Sequence, residues 1–182
     1  MGMAAPIYYS ADMVRALPED GNQYEVVRGE LLVTPAPRAW HEEVVGRLYI
    51  ALREYLRQEN TGHVFGSRSD ISWGPDTLVQ PDIFVVPVEQ ARTLDWAHMK
   101  DLLLVAEVLS PSSLRADRFT KRLEYQRQGV PVYWILDPEE RRAEIWGPGE
   151  AFPAFERERL VWHPQGASRP FTLALTELFS PI

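Results

Sequence analysis

Apolar residues along this chain repeat with two different periods. From Trp40 to about Glu59, the residues Val45, Leu48, Tyr49, Leu52 and Leu56 fall at i, i+3, i+4, i+7 and i+11. That spacing gathers them on one stripe and predicts a long helix packed on a core, ended near Gly62. His41 lies four residues before Val45, so it shares the inward face near the helix start. Other stretches read as strands. "QYEVVRGELLVTP" predicts a hairpin turning at Arg28-Gly29, and "HVFGSRSDISW" a strand followed by the turn "GPD". "TLVQPDIFVVP", "KDLLLVAEVLSP" and "PVYWILDP" are nearly continuous apolar runs, which points to burial on both faces. "AEIWGP" pairs after the charged turn from Glu139 to Arg142.

Two further helices complete the pattern. "SADMVRALP" reads as a short one, capped by Ser10 and stopped by Pro18. "SSLRADRFTKRLEYQRQGV" reads as another, broken at Gly129. From about Gly149 the chain is Pro-rich, with a strand-like "RERLVW" and a final "LTELF" helical turn. The order predicts an α/β fold, a mixed central sheet flanked by helices. One domain is expected over residues 1–182: a core of about 20–147, an N-terminal helix at 10–17 and a C-terminal extension of about 148–182. The aromatics of that extension, Phe152, Phe155, Trp162 and Phe171, could supply a dimer interface or complete the core.

Composition narrows the chemistry. The 182 residues are 45% hydrophobic, enough for a sizeable core. The chain holds no Cys, which excludes disulfides, thiolate metal sites and Cys nucleophiles. The opening "MGMAAPIYYS" lacks the basic and apolar regions of a signal peptide, and no run approaches a membrane span. The expectation is a cytoplasmic protein without a membrane partner. A formal net charge of −7 counts against a protein that coats DNA with Lys and Arg. It leaves room for an acidic site that awaits a divalent cation.

Two carboxylates stand where a core strand should be apolar. Asp82 follows Pro81 in "LVQPDIFVV", and Glu107 alone interrupts the apolar run from Leu102 to Leu109. Burying an unpartnered carboxylate is costly, and Pro cannot donate to a sheet ladder. By alternation Asp82 shares a face with Phe84 and Val86, and Glu107 with Val105 and Leu109. If the strands pair, one register sets the two acids side by side. Repulsion would then raise one pKa, unless a divalent cation such as Mg²⁺ or Mn²⁺ lay between them. Structural ion pairs with Arg or Lys remain open at this point. Lys121 is the candidate cation. It forms one stripe with Leu114, Asp117 and Tyr125, while Phe119 and Leu123 form the opposite one. Periodicity does not choose which stripe faces the sheet, nor between catalysis and packing for Tyr125.

"YEVVRGELLVTPAPRAWHEEVVGRL", "VQPDIFVV", "AEVLSPSS" and "KRLEYQRQGVPVYWILDP" together resemble the Uma-two family of restriction-endonuclease-like proteins, within the PD-(D/E)XK nuclease superfamily. The resemblance runs from about Tyr24 to Trp146. It implies a restriction-endonuclease-like fold and a Mg²⁺- or Mn²⁺-dependent endonuclease that hydrolyses DNA. It makes Asp82, Glu107 and Lys121 catalytic, with Asp82, Glu107 and the main-chain carbonyl of Val108 as metal ligands. Glu30, His41 and Tyr125 become supporting residues. A homodimer is also implied. The superfamily usually has Lys two residues after the second acid, where this chain has Leu109; Lys121 matches the alternative in which that Lys has moved to the next helix. This favours the Lys121/Tyr125 stripe facing the site. Arg28 replaces a frequent Asp, and Glu124 stands where Leu is common, which implies an exposed face at Glu124. The competing readings are an inactive nuclease-fold binding module and a structural dimer whose acids pair with Arg.

Overall fold

The computed structural model describes residues 7–182. The signal-peptide reading of the first ten residues therefore falls largely outside the described residues. The chain begins with α1 (Ala11–Arg15), whose N-cap Ser10 accepts from the Met13 N–H. The hairpin β1 (Gln23–Val27) and β2 (Glu30–Thr34) follows, turning at Arg28 and Gly29, both at positive φ. The long helix is α2 (Ala39–Glu59). It buries Val44, Leu48, Leu52, Tyr55 and Leu56 and packs Val45 and Tyr49 at the margin, so the inward stripe is rotated slightly from the expected one. Its end is set by Asn60 in the left-handed region, two residues before Gly62.

Next come β3 (His63–Gly66), β4 (Ile71–Gly74), β5 (Thr77–Val79) and β6 (Ile83–Val86). A short α3 (Val88–Ala91) leads to β7 (Leu104–Val108). A π-helical turn over Ala116–Lys121 runs into α4 (Arg122–Arg127), followed by β8 (Tyr133–Asp137) and β9 (Arg142–Trp146). The tail supplies β10 (Ala154–Glu156), β11 (Arg159–Trp162), β12 (Phe171–Ala174) and α5 (Leu175–Leu178). Among the described residues, no helix is long and apolar enough to cross a membrane.

The strands form a six-stranded sheet in the order β10-β9-β8-β7-β6-β3, a four-stranded sheet β2-β1-β5-β4, and the pair β11-β12. The sequence pattern suggested one strand in each of 63–73 and 77–87; each is instead two strands, one per sheet. At the second break, Pro81 has no N–H to give. Its neighbours donate elsewhere: Gln80 N–H to Glu25 Oε1 at 2.7 Å and Asp82 N–H to Glu107 Oε2 at 3.1 Å. The ladder is thus interrupted where two glutamates take its hydrogen bonds.

Alternation in the central strands explains where the site faces. Val85, Leu104, Ala106, Trp134 and Leu136 pack toward α2 and the tail strands. Phe84, Val86, Val105, Tyr133 and Ile135 pack on the other side, with Tyr125 of α4 and with Val27 and Val79 of the smaller sheet. Asp82 and Glu107 belong by register to this second side. The four tail aromatics divide between core and surface. Trp162 and Phe171 are core residues under α2, because β11 and β12 alternate inward there. Only Phe152 and Phe155 stay exposed.

Candidate active site

The β6–β7 register pairs Ile83 with Ala106, so its continuation sets Asp82 opposite Glu107. The two are joined through backbone. Asp82 N–H donates to Glu107 Oε2 at 3.1 Å, and Val108 N–H donates to Asp82 Oδ2 at 2.8 Å. Among the described residues, neither carboxylate pairs with an arginine. Asp82 Oδ2 also meets His41 Nε2 at 3.1 Å, and Glu107 Oε1 accepts from Tyr125 Oη at 2.9 Å.

The helix after β7 turns Lys121 inward. Asp117, Lys121 and Tyr125 are buried, whereas Leu114, Phe119 and Leu123 are exposed. The wide π turn brings Asp117 and Lys121 to the sheet together, a local distortion often found at functional sites. Lys121 Nζ lies 2.6 Å from Glu107 Oε1, 3.1 Å from Glu25 Oε1 and 3.5 Å from Asp117 Oδ1. With a relative exposure of 3%, this ammonium has exchanged water for carboxylates.

Three acids, Glu25, Glu107 and Asp117, surround one lysine, and Asp82 adjoins Glu107. Burial pushes the Glu107 carboxyl well above the usual range; Lys121 pulls it back, and the charges of Asp82, Asp117 and Glu25 push it up again. Burial likewise drives Asp117 up to about 6 despite the nearby ammonium. For Lys121 burial opposes the charge, but Glu107, Glu25 and Asp117 outweigh it and hold the ammonium well above its ordinary value. Lys121 therefore stays cationic. His41 is raised as well: burial lowers it, and the bond and charge of Asp82 more than compensate. Tyr125 is raised well above its usual value, first by burial and then by Glu107.

Glu25, His41, Asp82, Glu107, Asp117 and Lys121 line a cavity of about 480 Å³ that also meets Arg38, Arg68, Ser110 and Ser112, with Tyr125 behind Glu107. Two sequence readings are corrected here. Glu30 is exposed and not among the cavity residues. It sits opposite Val27, at the turn end of the hairpin, two residues along the strand from Glu25. That displacement is roughly 7 Å. Glu124 is buried, not exposed: Arg28 Nε lies 3.3 Å from its Oε2, and Gln128 and Arg127 also bond to it. Glu25 was not singled out in the sequence, because a polar residue alternating through a hairpin strand carries no signal of its own. Only the sheet order, which sets β1 against β5 and the Pro81 break, reveals it.

The donor set suits a hard divalent cation. It offers two adjoining carboxylates and more negative than positive charge, and Mg²⁺ commonly keeps several waters beside one or two carboxylates. Among the described residues, no three His, Asp or Glu side chains form a ready-made metal cluster. Asp82 and Glu107 would hold the ion only by exchanging present partners: Lys121, Tyr125 and the Asp82 N–H for Glu107, His41 and the Val108 N–H for Asp82.

Comparison with known proteins bears on this arrangement. The model of the Uma2 family, described as "Putative restriction endonuclease", matches residues 11–176. A crystal structure described as "a putative nuclease belonging to DUF820", from Anabaena variabilis ATCC 29413, superposes with a TM-score of 0.78. The two are 21% identical over 94% of this chain and 98% of the other. At that identity the likeness is one of fold. No curated protein matches the chain.

Proposed function

The chain belongs to the Uma2 family, and from that premise we propose that it is a metal-dependent endonuclease hydrolysing DNA phosphodiester bonds. The observation that carries this reading is the meeting of Asp82, Glu107 and Lys121 at one cavity. Asp82, Glu107 and the Val108 carbonyl are the residues to hold Mg²⁺ or Mn²⁺. When bound, such an ion supplies Lewis acidity toward phosphate and water.

The protein's own groups do the rest. Lys121 donates to the phosphate oxygens as negative charge builds on them, a role worth most in a site that excludes water. Glu25 and Asp117 fix where that ammonium sits. Tyr125 and His41 orient Glu107 and Asp82 through the bonds already described. Arg38 and Arg68 border the cavity as cations for the flanking phosphates.

Incubation of the purified protein with plasmid, linear and single-stranded DNA in Mg²⁺ or Mn²⁺ tests the reading. Metal-dependent cutting that Asp82→Ala abolishes is expected. Absence of cutting on every substrate, or cutting that Asp82→Ala leaves unchanged, overturns it.

A further inference from the structure

A second cavity, of about 580 Å³, opens beside the first and shares Arg38, His41, Ser110 and Pro111 with it. Its chemistry differs. Carboxylates crowd the first, whereas the second sets an apolar wall of Trp40, Leu109, Pro111, Leu114 and Pro138 beside the charged Arg118, Asp137, Glu139, Glu140 and Arg142. Trp40 packs partly against the core, and the Arg47 guanidinium lies 5.5 Å from its ring centroid. Arg47 is itself held by Glu43 and by the carbonyls of Leu178 and Ser180, so the indole rests on a fixed support. Arg142 also lines this cavity, its guanidinium 4.8 Å from the Phe155 ring centroid.

We propose that this second cavity is a nucleobase subsite that receives an unpaired base next to the scissile phosphate. The proposal rests on reading the neighbouring cavity as the place of phosphodiester hydrolysis. A nucleotide joins an anionic phosphate to a flat, largely apolar base edged with acceptors. Two joined cavities, one built for phosphate and metal and one with an apolar, aromatic wall, repeat that order. Arg38, common to both, stands where the linking phosphate would pass. The volume falls within the range of about 300–1,000 Å³ of pockets that enclose small ligands. A base inside a duplex is stacked and cannot enter without leaving the helix. The preferred substrate is therefore single-stranded DNA, or DNA unpaired at the cut.

Fluorescence anisotropy with a labelled single-stranded oligodeoxynucleotide and its matching duplex, in EDTA so that nothing is cut, tests this. The single strand is expected to bind at least about tenfold more tightly. Trp40→Ala is expected to lower single-strand affinity by about tenfold, the scale of one lost base–aromatic stack, while Trp40→Phe keeps most of it. Leu114→Glu, at an exposed position of the cavity, sets a carboxylate against the base and should give a similar loss without touching Trp40. Equal affinity for the two DNAs overturns the proposal, as does unchanged single-strand binding by both Trp40→Ala and Leu114→Glu. Single-strand preference lost with Trp40 in a protein that cuts nothing supports the subsite and removes the nuclease reading. Metal-dependent cutting with no effect of Trp40 or Leu114 does the reverse.

Discussion

The backbone N–H of Asp82 donates to the side chain of Glu107, 25 positions later in the chain, at 3.1 Å. The strand break at Pro81 is thus held open by the carboxylate that faces it. Charge and shape can be separated at this point. Glu107→Gln keeps one acceptor oxygen, enough for the Asp82 N–H or for Tyr125 Oη but not for both, and loses the anion, so the fold should persist with reduced stability while divalent-metal affinity disappears. Glu107→Ala also deprives Lys121 of its nearest partner, and removing one member of a buried pair costs about 3 kcal/mol or more. Calorimetric titration with Mn²⁺ and thermal melting check both. Unchanged Mn²⁺ affinity in Glu107→Gln would remove Glu107 from the ligand set.

Among the described residues, Lys121 carries the only ammonium that meets Glu25, Glu107 and Asp117. Lys121→Met should reduce cutting by about 10²–10³-fold, the scale of a lost charge-stabilising donor. It also leaves the acids unneutralised. Their protonated forms are then favoured in the folded state, so stability of this variant should fall more steeply than wild type as pH rises from 5 to 8. Denaturation curves across that range provide the measure. Parallel pH profiles for the two proteins would contradict the ion cluster.

The sequence pattern carried the elements well and the sheets poorly. Asp82 and Glu107 stood out because an acid in an apolar run has no cheap explanation, and Lys121 stood out only with the family resemblance beside it. Periodicity could not turn the helix, since Lys121 and Phe119 lie on stripes of similar apolar weight; the structure exposes Phe119 at 59% and buries Lys121. Glu25 and the split of 77–87 into two sheets depend on contacts between distant segments, which no local pattern encodes. Glu124 was misread for the same reason: its partner Arg28 is supplied from a hairpin far away in the chain.

Asp117 offers a pH test away from the proposed metal ligands. Its carboxyl is driven to about 6 from an ordinary 3.8, mainly by burial. A raised acid binds more protons folded than unfolded, so its contribution is most favourable below about pH 4 and is lost as pH rises through about 6. Asp117→Asn removes that titration. The variant should therefore show a flatter stability profile between pH 4 and pH 6, and be relatively more stable than wild type above it. Urea denaturation at several pH values measures this. An unchanged slope would place Asp117 outside the titrating set.

Arg28 and Glu124, two positions at which the resemblance leads one to expect other residues, face each other at 3.3 Å. Glu124 is almost fully buried, while the Arg28 side chain is 61% exposed. The solvent-screened pair itself is worth at most about 1 kcal/mol. The larger effect lies in what each partner leaves behind. Arg28→Asp sets two carboxylates together and should lower the melting temperature clearly. Glu124→Leu replaces a buried charge with an apolar side chain and should be neutral or stabilising. In the double variant the clash has no second carboxylate, so the cost of Arg28→Asp should largely vanish. The resulting coupling, within roughly 0.5–3 kcal/mol for residues in contact, is read from a double-mutant cycle of denaturation free energies. Additive effects would show that the two departures are independent, and that the ion pair does not link the hairpin to α4.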